Sequence, residues 1–270
     1  MLHSIVAAVA LASAPVDAPA APENADPAMF VVRDADTTVY IFGTFHALDG
    51  QADWFNDKVR DAFAQSGELV LETVVPDPQA TPVGPAMPAP QAYRPLSVTP
   101  SASFLATTRM AISAGKSQGM SVGNGADMVL RRAADLTGKR VEGLETLESQ
   151  LAMFSRMPPP SAAPAPVPGT PVEGEAPMDN LSRAMGEMQS AWKAGDQRVF
   201  VRMLGQLRQA SPDAYRMMFV ERNSRWADWV AARMQTPGTV FVAVGAGHLV
   251  GQDSLLVRLA QLGIPSQRVR

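Results

Sequence analysis

The sequence predicts an α/β domain: a mostly parallel or mixed central sheet flanked by helices. Two observations carry this. Apolar, β-prone runs at Thr38–Phe42, Glu68–Leu71 and Val240–Val244 alternate with segments of helical spacing, the pattern of strands joined by crossover helices. Two of these runs lead into the same short frame, Gly43-Thr44-Phe45-His46 and Gly245-Ala246-Gly247-His248, which then opens onto another helical segment. Each histidine is thereby placed at the carboxyl end of a strand, where open α/β sheets bind their ligands.

The elements follow in three blocks. From Met29, a strand through Phe42 gives way to the first Gly-x-x-His, a helix over Asp53–Gln65 with Trp54, Val59 and Phe63 on its apolar side, and a strand ending near Leu71. The second block, Ser101–Arg156, predicts helices over Ala102–Ser113, Ala126–Leu136 and Thr146–Phe154, with a short strand at Arg140-Val141. The third, Asp179–Arg270, is largely helical to Met234 and then reads strand, Gly-x-x-His, helix, strand. Between the blocks lie two proline-rich stretches, 76–100 and 157–178, expected to be disordered insertions because proline removes a backbone donor and bars helix interiors.

At the other end, Met1–Ala14 has an apolar core followed by Ala12-Ser13-Ala14, the small-x-small pattern of a signal peptide, with residues 15–28 as an Ala/Pro leader. The expected arrangement is one domain over residues 29–270, exported to the periplasm or secreted. No later run is long and apolar enough to span a bilayer.

Composition removes several classes of function. The chain has 270 residues, a net charge of −3 and no cysteine. That balance gives no electrostatic footprint for nucleic acid, and a thiolate nucleophile or Cys-ligated metal is excluded. Chemistry must come from nitrogen and oxygen. Only three histidines occur, and the two beyond the N-terminal segment are His46 and His248. Glu72 and Glu145 follow strands and occupy comparable strand-end positions. Two imidazoles and a carboxylate form a familiar set for a catalytic divalent metal with one position left for water; the plain alternatives are buried turn histidines and helix-capping glutamates. Arg222 and Asn223, in Glu221-Arg222-Asn223-Ser224-Arg225-Trp226, offer donors for an oxyanion or for orienting a ligand, or else form a solvated helix face on which Glu221 pairs with Arg225.

Other motifs carry less. Gly119-Met120-Ser121-Val122-Gly123 matches a nucleophile elbow, with Asp127 and His248 in plausible order, but no strand precedes it. Gly115-Lys116-Ser117 lacks the first glycine of a phosphate loop. Met185, Met188, Met203, Met217 and Met218 fall on apolar helical positions and read as packing residues.

Taken in order, Gly43–His46, Leu71-Glu72-Thr73, Gly143–Leu151, Glu221-Arg222-Asn223 with Trp226, and Val244–Leu249 resemble the TraB/GumN family, related to Tiki-type metalloproteases and to the erythromycin esterase and ChaN-like fold. The resemblance spans residues 29–270 apart from the proline-rich stretches. It implies a hydrolase, peptidase first, dependent on Mn²⁺, Co²⁺ or Zn²⁺ held by His46, His248 and Glu72, with Glu145 as base or orienter and Arg222 and Asn223 stabilising developing charge. Its substrate would be a peptide or small molecule. The alternative is a non-catalytic envelope protein that uses the same cleft to hold a ligand, haem or polysaccharide.

Overall fold

The computed structural model describes residues 23–74, 102–157 and 176–270. Its elements run β1 (Glu23–Asn24), β2 (Met29–Arg33), β3 (Thr37–Thr44), β4 (Ala52–Asp53), α1 (Asp57–Gln65), β5 (Glu68–Thr73), α2 (Ala102–Ser117), α3 (Ala126–Leu136), β6 (Arg140–Glu145), α4 (Leu147–Ser155), α5 (Pro177–Lys193), α6 (Arg198–Ala210), α7 (Pro212–Tyr215), α8 (Glu221–Arg233), β7 (Gly238–Gly245), α9 (Leu255–Gln261) and β8 (Gln267–Arg268). A π-helical turn, Arg216–Val220, joins α7 to α8, and a 3₁₀ turn, Ala246–Leu249, follows β7.

Six strands form one mixed sheet in the order β6-β5-β7-β3-β2-β8. The first four are parallel, while β2 and β8 run antiparallel to their neighbours at the far edge. The hairpin from β2 to β3 was not legible as two strands. It turns on Asp34, whose Oδ1 accepts from the backbone N–H of Asp36 and Thr37, a side-chain mimic of a backbone turn.

Period-two alternation sends side chains to opposite faces. Phe42, Leu69, Leu71, Phe241 and Ala243 pack on one face with residues of α1, α3, α5 and α6. Val39, Ile41, Val70, Val240, Val242 and Val244 pack on the other with Trp226, Ala227 and Val230 of α8 and Leu255 and Leu259 of α9. Both faces of the central strands are therefore covered, which explains why their sequences read as unbroken apolar runs.

Several expected boundaries shift. The first helix begins at Asp57 because Asn56 caps it, its Oδ1 accepting from Val59 N–H. The strand expected at Arg140-Val141 extends to Glu145. Residues 23–28, read as leader, join the fold: β1 pairs with β4, and Ala25 and Ala28 are buried. Of the insertion expected over 157–178, residues 158–175 lie outside the described residues, while Pro177 and Met178 belong to α5, Pro177 at a first-turn position where proline's missing donor has no intrahelical partner to lose. The signal segment of residues 1–14 and the insertion at 76–100 lie outside the described residues. Among the described residues no helix is long and apolar enough to cross a membrane.

Candidate functional site

Because β6, β5, β7 and β3 are parallel, their carboxyl ends share one edge of the sheet. Register places Thr44 beside Gly245 and Thr73 beside Glu145. Above them opens a cavity of about 460 Å³, lined by His46, Glu72, Asp127, Arg222, Gly245 and His248 among others. Topology alone thus brings both Gly-x-x-His frames to one cleft.

Arg222 is the hub. It is 3% exposed, and its Nε donates to both oxygens of Glu145 at 3.1 Å, Nη2 to Glu72 Oε2 at 2.7 Å, and Nη1 to the Met218 carbonyl at 3.4 Å and to His248 Nε2 at 3.2 Å. Its guanidinium also lies over the Trp226 ring, 4.5 Å from the centroid. Each N–H-bearing nitrogen is engaged, the condition under which a buried cation is tolerated. Glu72 uses its other oxygen to accept from Gly245 N–H at 2.6 Å. Arg225 reaches Glu145 from the rim at 3.0 Å.

These contacts settle two readings left open by the sequence. Glu145 does not cap the following helix; Thr146 does, accepting from Ser149 N–H. Arg222 and Asn223 are not a solvated face, since Asn223 is 1% exposed. Nor does Glu221 pair with Arg225: Glu221 binds Arg216, because the π-helical turn offsets the register of the preceding residues and Arg225 is drawn to Glu145.

His248 has a determined tautomer. Asn223 Nδ2 donates to the Asp253 carbonyl at 2.7 Å, which leaves Asn223 Oδ1 to accept from His248 Nδ1–H at 2.7 Å. The Nε2 lone pair therefore faces Arg222 and the cleft. Burial first, then Arg222 and His46, pull the His248 pKa down to about 3 against the attraction of Glu72, so the ring is neutral. Phe219 and Trp226 wall it in, with ring centroids 4.8 and 4.4 Å away.

His46 is the opposite case. Its Nδ1 lies 3.2 Å from Asp127 Oδ1. Burial among protein atoms would lower its pKa, but the Asp127 hydrogen bond and charge, with Glu72, outweigh it and raise the value to about 9. The side chain is 62% exposed, so solvent weakens this pairing; protonation at neutral pH remains the favoured direction. The loop that carries it is clamped to α3: Ala126 N–H donates to the Phe45 carbonyl, and Leu48 and Ser121 exchange backbone hydrogen bonds. A Cβ at Gly125 would stand 2.2 Å from the His46 carbonyl oxygen, so only glycine allows this approach.

For Glu72, burial would raise the pKa, but the positive field of His248 when charged, Arg222 and His46, with the Gly245 N–H, holds it well below the ordinary carboxylate range. With His248 neutral, the other three still act in that direction, and Glu72 is an anion.

In the sequence Asp127 stands out only as a candidate member of a serine triad. That constellation is not assembled: Ser121 Oγ accepts from Gly123 N–H at 3.2 Å, Asp127 binds His46, and both ring nitrogens of His248 have other partners. No sequence signal marked Asp127 as the partner of His46, since the pairing depends on where α3 docks. Met188, Met203 and Met218, packing residues by their helical spacing, line the cleft, as does Phe219, which no motif marks; Met218 and Phe219 lie in the π-helical turn.

A metal fits this site in donor type. Both histidines have Nδ1 held by an oxygen acceptor, and an ideal Cβ on Gly245 would stand 3.1 Å from Glu72 Oε1 and 3.4 Å from His46 Nε2. In arrangement it does not fit: Arg222 already occupies Glu72 and His248, and among the described residues no three His, Asp or Glu side chains are gathered so as to hold one ion.

Comparison with known proteins gives one family. The model of the TraB/PrgY/gumN family matches residues 28–95 and 86–268. No curated protein and no solved structure matches the chain. With the strand-end motifs, the fold and a match over most of its length in agreement, the chain belongs to the TraB/PrgY/gumN family.

Proposed function

We propose that the chain is a hydrolase of acyl bonds, peptide bonds first, with His46 and Glu72 as its proton-transferring groups. The observation that carries this reading is the pairing of neighbouring groups in one cleft: His46 lies 3.2 Å from Asp127, which favours its cation, and Glu72 lies 2.7 Å from Arg222, which favours its anion. Such separation of acid and base is how sites assign roles. In this scheme water attacks the carbonyl carbon and its proton passes to Glu72. His46 gives its proton to the leaving nitrogen or oxygen, and the proton on Glu72 then returns to the more basic His46 through solvent. His248, held neutral, and Arg222 position Glu72. Glu145 holds Arg222 in place.

A second reading, ligation of Mn²⁺, Co²⁺ or Zn²⁺ by His46, His248 and Glu72, is favoured by the two clamped Nδ1 atoms, a common outer arrangement for ligating histidines. It requires Arg222 to release His248 and Glu72. In either reading the chain is exported, on the strength of the Met1–Ala14 segment, and the mass of the mature N-terminus in fractionated cells tests that.

Internally quenched peptides distinguish these readings and the non-catalytic one. The first predicts cleavage that survives chelation and falls by about 10²–10⁴ in both His46→Gln and Glu72→Gln. Cleavage that appears only with added metal supports the second reading. Absence of cleavage with and without metal supports a ligand-binding protein.

A further inference from the structure

We infer that the cleft selects a neutral amide or ester flanked by a bulky apolar group, and disfavours charged groups there. This rests on the hydrolytic reading of the same site. One wall is the polar cluster. Most of the rest of the cavity is apolar, walled by Phe45, Met188, Phe200, Met203, Met218 and Phe219 from the loop after β3, α5, α6 and the π-helical turn, with α4 adding Phe154 and the neutral amide of Gln150.

Three features set the ligand class. First, the charges at the cleft floor are already paired: Arg222 with Glu72 and Glu145, His46 with Asp127. A charged group seated among the Met and Phe side chains would lose hydration without gaining a counter-charge, whereas an apolar group is stabilised by the surface it buries there. Second, the hydroxyls Thr44 Oγ1 and Thr73 Oγ1, at the ends of β3 and β5, are buried without a hydrogen-bond partner among the described residues, and both threonines line this cavity. These hydroxyls have no solvent contact in the cleft, so an amide or ester engages them only as the surrounding side chains give way, and it does so while remaining neutral. Third, methionine walls adapt to varied apolar shapes, which favours a class of side chains over one shape.

The test uses protein labelled with ¹³C at the methionine methyls, titrated with N-acetyl-leucine amide, N-acetyl-lysine amide and N-acetyl-glutamate amide. Saturable shifts of Met203 and Met218 are expected with the leucine compound at concentrations at least tenfold below those needed for the charged ones. Met203→Glu should abolish that preference, and Thr44→Val and Thr73→Val should weaken binding several-fold with the methyl spectrum otherwise preserved. Equal response to all three compounds, or none, overturns the inference, and unchanged affinity in both threonine variants overturns its amide component. Because binding is read without turnover, saturable binding with no peptide cleavage would refute hydrolysis while supporting the ligand class. Cleavage directed at charged residues would do the reverse.

Discussion

At the scale of single residues, the cleft depends on pairing. Removing Arg222 takes away the arginine partner of Glu72 and one of the two that hold Glu145, so Arg222→Met is expected to cost about 3–5 kcal/mol of stability, measured by chemical denaturation. Arg222→Lys should recover only part of this, since one ammonium cannot reproduce the fork that reaches Glu145, Glu72 and His248 together. Asp127→Asn retains shape but removes the charge that raises the His46 pKa. Under the acid role proposed for His46, the alkaline limb of its rate profile should move to lower pH, with folding unchanged; a limb that stays in place would deny Asp127 that role. Gly125→Ala puts a methyl 2.2 Å from the His46 carbonyl and should displace the loop at a cost of about 1–3 kcal/mol.

At the scale of elements, the central parallel strands were legible, while the edge strands and the connections were not. The runs through Ile41, Val70 and Val242 announce buried strands because both faces are covered by helices. The strand-end positions of His46, Glu72, Glu145 and His248 followed from them. What stayed hidden depended on docking between distant segments. Asp127 meets His46 only because α3 packs on the loop after β3. The π-helical turn at Arg216–Val220 is invisible to a reading based on 3.6-residue spacing, yet it carries Met218 and Phe219, which line the cleft just ahead of Arg222. π-helical turns inside α-helices frequently mark functional sites. Phe219→Ala should therefore do more than open a void, at about 3–5 kcal/mol: it removes one wall of His248, and the His248 pKa should rise as water enters, readable by NMR.

At the scale of the whole molecule, two groups in the cleft make stability dependent on pH with the same sign. His248 and Glu72 both have folded pKa values depressed below their unfolded ones. Each contributes stability that is full above its unfolded value and lost as pH falls toward its folded value. Melting temperature should therefore decline from near pH 6.5 downward as His248 is forced to charge, and more steeply below about 4.5 as Glu72 joins. His248→Gln should remove the first part of that decline. His46 acts oppositely: its raised pKa contributes stability that is full below about 6.5 and lost as pH rises toward 9. A stability maximum between these limits follows, provided folding is reversible.

His46 and His248 belong to one charged cluster whose contacts favour opposite protonation states for the two rings. Side-chain ¹⁵N NMR of the histidines from pH 5 to 9, assigned with His46→Gln and His248→Gln, tests it most directly. His248 is expected to remain a neutral Nδ1–H ring throughout, while His46 stays an imidazolium through neutral pH and titrates above 6.5. Two rings that both titrate near 6.5, unaffected by Asp127→Asn or Asn223→Asp, would contradict it.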